Sequence, residues 1–217
     1  AETGISTYTD PDNSAEIWPL NMTVFRHVIL DRDGVLNIQA PGGYVLKPDQ
    51  WHWEPGALEG LAEMARAGVK LSVATNQSCV GRGLMDKDDL KLIHALMEKQ
   101  AEKYNIFFSG IYFCPHAPDH GCVCRKPLPG LLEQAIAESG IAPAQTLFIG
   151  DAKTDLLAAK AAGISAWLVR TGKGMQTEAA LKKENKNDFY LAGLRVFDNL
   201  KDAAQTIILC HIKDKKD

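Results

Sequence analysis

The chain has 217 residues, 46% of them hydrophobic, which suits one domain, or one domain with an insert, around a sizeable core. Its formal charge of −3 argues against a general electrostatic footprint for nucleic acid, and no apolar run is long enough to span a membrane. Five cysteines, three of them crowded between Cys114 and Cys124, point to a metal site in a reducing compartment rather than a disulfide framework. With no basic-then-apolar signal pattern at the N-terminus, the cytoplasm is the expected location.

Residues 1–21 carry Thr, Ser, Asp, Pro and Asn with little periodicity and are expected to form an extended or disordered lead, with Trp18 and Leu20 available to dock on the body. A single domain is expected over 22–210, followed by a mobile Lys/Asp tail over 211–217. Val28-Ile29-Leu30 is an apolar run that ends abruptly in Asp31-Arg32-Asp33-Gly34, which predicts a buried strand of a parallel sheet. A Gly/Pro loop over 40–48 holds Gly42-Gly43-Tyr44, and Trp51 and Trp53 share a face if their segment is extended. Ala57–Ala67 has helical spacing and stops at Gly68.

Val69–Ala74 predicts a second strand ending at Thr75-Asn76-Gln77-Ser78, with Gly81-Arg82-Gly83 extending that loop. Asp86 to about Tyr104 is an amphipathic helix with Leu90, Ile93, Leu96 and Met97 on one side. Ser109–Phe113 is a third strand, running directly into the cysteine cluster. Helices over Leu128–Ser139 and Thr154–Ala162 flank a fourth strand, Thr146–Asp151, and Ile164–Val169 is a fifth, leading into Arg170-Thr171-Gly172-Lys173-Gly174. A strand over Leu194–Phe197 and a helix over Leu200–Cys210 complete the body. Strands alternating with helices predict a parallel sheet covered by helices on both faces.

Polar clusters stand at four strand ends or just beyond them: Asp31/Asp33, Thr75/Asn76, the Lys126 region, and Asp151/Asp155. Each alone reads equally as turn or capping chemistry, and Asp-x-Asp-Gly alone reads as a turn or a calcium loop. Together they lie where ligands of open α/β sheets bind. Two carboxylates one residue apart repel in a low dielectric unless a cation such as Mg²⁺ occupies the space between them. Cys114, His116, Cys122 and Cys124 supply soft and borderline donors in the number a closed, structural Zn²⁺ site needs, with His120 a spare candidate. Cys79 and Cys210 read as simple buried thiols.

The ordered set of Asp31-x-Asp33-Gly34, Thr75, Lys126 and Gly150-Asp151-x-x-x-Asp155 resembles the haloacid-dehalogenase-type (HAD) phosphatases from about Phe25 to Gly174. The resemblance implies a HAD-like, Rossmann-like fold without a large cap domain, and a monomer. It also implies that Asp31 is the nucleophile and Asp33 the acid–base group, and that Mg²⁺ is held by Asp31, Asp151 and the main chain of Asp33. Thr75 and Lys126 would bind phosphoryl oxygens, and Asp155 would act behind them or simply as a first-turn acid of a helix.

Cys114-Pro115-His116 followed by Cys122-Val123-Cys124-Arg125-Lys126-Pro127 resembles two zinc-loop families in that superfamily. They are the D-glycero-D-manno-heptose 1,7-bisphosphate 7-phosphatases of lipopolysaccharide-core precursor synthesis and the histidinol-phosphate phosphatases. Gly43-Tyr44-Val45, Thr75-Asn76-Gln77-Ser78, Arg82-Gly83, Lys126-Pro127 and Leu168–Gly172 favour the heptose family, and Arg82, Arg125 and Lys173 offer charge for a second phosphate. By this resemblance Gly43, Tyr44, Asn76, Gln77, Ser78, Arg82 and Arg125 would contact a phosphorylated sugar. Cys79 departs from the family's usual glycine, and Ala152-Lys153 from its usual lysine. A zinc-stabilised module without catalysis and a phosphatase acting on nucleic-acid ends are the competing readings.

Overall fold

In a computed structural model, which describes residues 7–8, 18–19, 23–184 and 194–214, the apolar run 27–30 is the axis of the molecule. Strands β1 (Thr7–Tyr8) and β2 (Trp18–Pro19) pair antiparallel; Leu20, expected to dock on the body beside Trp18, lies outside the described residues. The main sheet is β3 (His27–Leu30), β4 (Lys70–Asn76), β5 (Phe108–Cys114), β6 (Thr146–Gly150), β7 (Ser165–Val169) and β8 (Arg195–Phe197). Its spatial order is β5-β4-β3-β6-β7-β8, and every pairing is parallel. Counted within this sheet, that is the doubly wound order 3-2-1-4-5-6, so the direction of winding reverses between β3 and β6.

Because side chains alternate across a strand, β3 feeds two cores. Val28 and Leu30 face a layer formed with α1 (Ala57–Arg66), α3 (Lys87–Glu102) and α7 (Leu200–Asp214), represented by Leu61, Ile93 and Ala203. Ile29 faces the opposite layer with α4 (Gly130–Ser139), α5 (Lys153–Ala161) and α6 (Gly174–Glu184), represented by Leu132, Leu156 and Leu181. The expected α/β sandwich is therefore present, with helices on both faces. No helix among the described residues is long and apolar enough to cross a membrane.

Several boundaries differ from the sequence reading. The loop after Thr75 contains a one-turn helix, α2 (Ser78–Gly81), and the segment beyond Lys173 forms α6, which the pattern of its apolar residues did not announce. Asp86 is the N-cap of α3 rather than its first turn, its side chain accepting from the Asp88 and Asp89 amides. α4 begins at Gly130 because Pro127 and Pro129 interrupt what precedes it. α7 continues past Cys210, and His211 Nε2 lies 2.7 Å from the Phe25 carbonyl. Trp51 and Trp53 do pack together, edge to face at 5.3 Å.

Candidate active site

β3 delivers Asp31 and β6 delivers Asp151 to the same point, because the two strands are neighbours in register, Leu30 opposite Ile149. The loop after β3 is tight: the Arg32 carbonyl accepts from the amides of Val35, Leu36 and Asn37. Gly34 sits in it at φ 86°, and a Cβ there would lie 2.2 Å from Asp151 Oδ2, so only glycine fits both the turn and the approach. Asp151 is held from behind: its Oδ2 accepts from the Lys173 amide at 2.7 Å, and its carbonyl from Thr177 Oγ1 at 2.8 Å.

Lys126, fully buried, reaches Asp31 Oδ1 at 2.9 Å, Asp155 Oδ1 at 2.7 Å and the Ala74 carbonyl at 2.9 Å. Asn76 clamps its backbone in both directions, donating to the Lys126 carbonyl and accepting from its amide. Asp155 also receives the Ala152 amide, so it caps α5 and balances Lys126 together. The ligand-capable oxygens of Asp31, Asp151 and Asp155 lie within 4.8 Å of one another. Three carboxylates thus face one lysine, more acids than that cation can balance. Burial, and beyond it the neighbouring acids, pushes the Asp31 carboxyl up to about 8 and Asp151 up to about 6. The donor set and its surplus of acids fit a divalent, oxygen-loving cation such as Mg²⁺.

Asp33 is in a different state. Burial by itself would raise its pKa, but the Arg32 charge and hydrogen bonds from Arg32, Asn37 and Gln77 outweigh it and hold the carboxyl below its ordinary value. Its Oδ1 accepts from Arg32 Nη2 at 3.0 Å and Asn37 Nδ2 at 3.1 Å, and its Oδ2 from Gln77 Nε2 at 2.7 Å. The same Gln77 nitrogen donates to Thr75 Oγ1 at 2.9 Å. With one lone pair of Thr75 so occupied, its hydroxyl proton is free to point elsewhere.

The cysteine cluster forms at the end of β5. Cys114 Sγ is 3.6 Å from both His116 Nδ1 and Cys122 Sγ, and Cys124 Sγ is 3.4 Å from His116 Nδ1. A tetrahedron with Zn–S of about 2.3 Å and Zn–N of about 2.0 Å has edges of roughly 3.5–3.8 Å. The three sulfurs and one nitrogen therefore fit Zn²⁺ with no position left open. His120, the spare candidate, is stacked on His116 at 4.7 Å instead.

Comparison with known proteins follows this geometry. The HAD-hydrolase-like family model matches residues 123–203. The D-glycero-β-D-manno-heptose-1,7-bisphosphate 7-phosphatase of Bordetella bronchiseptica is 41% identical over 152 residues, 70% of this chain and 84% of that protein. The enzyme of the same name from Pseudomonas aeruginosa is 36% identical over 83% of this chain and 97% of its own length. The chain belongs to this phosphatase family. A crystal structure of the B. bronchiseptica D,D-heptose 1,7-bisphosphate phosphatase with magnesium and phosphate aligns with a TM-score of 0.78, at 36% identity, covering 85% of this chain and 99% of that one.

In this heptose-bisphosphate phosphatase family member, Asp31, Asp33, Thr75, Lys126 and Asp151 come together, as do Asn76 and Gln77 behind them. Tyr44 OH lies 3.0 Å from Ser78 Oγ, joining the Gly43-Tyr44 loop to the start of α2. Arg82 and Lys173 have exposed side chains, and Arg125 is half-buried with Nη1 unpaired. Cys79 is buried with its Sγ 3.3 Å from Met85 Sδ, which accounts for a side chain larger than the family's glycine. Two residues escaped the sequence reading. Arg32 is fully buried beside Asp33, and His94 meets it from α3. Arg32 stood inside the motif and could have been weighed; His94 looked like one more helix residue.

Proposed function

We propose that the chain is a Mg²⁺-dependent phosphomonoesterase that removes the C7 phosphate of D-glycero-D-manno-heptose 1,7-bisphosphate through an aspartyl-phosphate on Asp31. The observation that carries this reading is the pairing of an Asp31 site, in which three acids face one lysine, with an Asp33 already clamped on both oxygens. Asp31, Asp151 and the main chain of Asp33 would hold Mg²⁺, which neutralises charge on the phosphoryl group and lets an anionic nucleophile approach it. Asp31 attacks phosphorus as the bond from phosphorus to the sugar oxygen breaks, and Asp33, which must first take a proton from solvent because its donors favour the carboxylate, gives that proton to the oxygen. Asp33, now a carboxylate, takes a proton from water as the water oxygen bonds to phosphorus and the bond to Asp31 breaks. Thr75, through its free hydroxyl proton, and Lys126 stabilise the phosphoryl oxygens.

Gln77 acts from behind, holding Asp33 and Thr75 rather than reaching outward, since it is 1% exposed. Gly43, Tyr44, Ser78, Arg82 and Arg125 would contact the sugar, with Arg125 the guanidinium for a second phosphate, while Asn76 acts from behind through the Lys126 backbone. Zn²⁺ at Cys114, His116, Cys122 and Cys124 has a structural role. The relatives' names favour the heptose bisphosphate over histidinol phosphate. The test is phosphate release from both with Mg²⁺, on wild type and Asp31→Asn. Wild type is expected to prefer the heptose substrate by about a hundredfold in kcat/KM, roughly 2.7 kcal/mol, and the folded variant to be inactive. Near-normal turnover by Asp31→Asn, or the reverse preference, would refute the mechanism or the substrate respectively.

A further inference from the structure

We infer that Arg32, locked in place by His94, is a positioning residue for the Asp33 carboxylate. The inference rests on reading Asp33 as the acid–base group. Arg32 is the largest side chain that is fully buried, and such burial is costly unless every donor is matched. Here it is not matched: Nη2 donates to Asp33 Oδ1 at 3.0 Å, Nη1 to His94 Nε2 at 3.3 Å, and Nε has no partner. Trp51 lies under the guanidinium, 5.9 Å from carbon to ring centroid. A half-satisfied network is a poor way to stabilise a core, but this one aims a rigid fork at one oxygen of Asp33.

His94 completes the arrangement. An arginine has no acceptor, so His94 Nε2 must carry the lone pair and Nδ1 the proton. Burial, and then the Arg32 charge, lowers the His94 pKa to about 3, which keeps the ring neutral and accepting. The ring also lies edge-on to Phe113 of β5, 5.8 Å away, so α3 and β5 fix its plane. Asp33 is thereby held on Oδ1 by Asn37 and by a charged group braced from the helix layer, and on Oδ2 by Gln77 from the β4 end. Without His94 the fork loses one of its two hydrogen-bonded arms, and Asp33, still held by Asn37 and Gln77, loses the bracing of its charged partner.

The test uses the full chain with saturating Mg²⁺ and two esters. Heptose 1,7-bisphosphate has an alkoxide leaving group that needs a proton; p-nitrophenyl phosphate has one that departs without it. His94→Phe keeps the ring and removes the acceptor, whereas His94→Gln restores an acceptor. His94→Phe is expected to lower kcat on the bisphosphate about 10- to 100-fold with KM within about twofold, a part of what general acid–base catalysis supplies. On p-nitrophenyl phosphate it should release about one equivalent of p-nitrophenolate per site at the wild-type rate and then turn over slowly. His94→Gln should stay within about threefold of wild type on both. An unchanged kcat, or equal losses on both esters with no burst, would overturn the inference. If His94→Phe does not fold, Arg32→Lys carries the same comparison. A wild type inactive on both esters would instead remove the phosphatase reading, and this inference with it.

Discussion

At the scale of single residues, the site separates two carboxylates that stand one residue apart in the chain. Asp31 is buried beside other acids and has, among the described residues, Lys126 as its cationic partner, while Asp33 sits in a ring of donors. That difference follows from direction: Asp31 points toward the β6 end, and Asp33 toward Arg32, Asn37 and Gln77. Gln77 links the proposed acid–base and phosphate-binding groups, because a single amide nitrogen serves both Asp33 and Thr75. A hydrogen bond to a charged group is worth about 1.5–3 kcal/mol. Gln77→Leu is therefore expected to cut kcat/KM by about 10- to 100-fold without unfolding the protein. Steady-state kinetics within twofold of wild type would show that Asp33 and Thr75 need no such bridge. The motif Asp31-x-Asp33-Gly34 was legible because its spacing is local; the partners of its second residue were not.

At the scale of elements, the loop over 114–124 is a support as well as an insert. It starts at the end of β5, and its last ligand lies two residues before Lys126. It also touches α2: a Cβ on Gly81 would come within 2.5 Å of the Ala117 amide and 2.7 Å of the Pro115 carbonyl. A metal that orders this loop therefore steadies both Lys126 and the segment carrying Gln77 and Ser78. Structural zinc contributes folding free energy directly. Stripping the metal with a strong chelator, or Cys122→Ser, is expected to lower Tm by roughly 10 °C and reduce kcat, at about 2–4 °C per kcal/mol for a chain of this size. A Tm and rate unaffected by chelation would mean the cluster needs no ion. The four clustered donors were legible from composition and crowding. The choice of His116 over His120 at the cluster follows from the fold of the loop, which places His116 Nδ1 within 3.6 Å of two sulfurs and stacks His120 outside it.

At the scale of the whole molecule, the sheet carries its own pH dependence, away from the site. His27 opens β3 with no exposure, its Nε2 3.0 Å from Ser72 Oγ, and burial followed by the Lys70 charge lowers its pKa to about 4. A histidine whose folded pKa is depressed binds its proton more readily when unfolded. Its contribution is thus complete above pH 6.5 and is lost as the pH falls toward 4. Between pH 7 and pH 5, wild type is expected to lose about 2 kcal/mol more unfolding free energy than His27→Gln. Urea titrations of the pair, run at both values, check this; parallel losses would refute it. The sequence by itself determined the strands, the kinds of donor at their ends and the crowding of Cys and His over 114–124, because periodicity, turn signals and short spacings are properties of neighbouring residues. It left α6 unannounced, since that helix is exposed along most of its length and has little apolar stripe to read. Only the tertiary structure decided that β3 and β6 adjoin, and so that Asp31 and Asp151 share one space 120 positions apart in number (151 − 31). The pairings of Lys126 with Asp155 and of Arg32 with His94 were decided there too. Strand order and helix docking set those meetings through packing across the sheet, which no local pattern encodes.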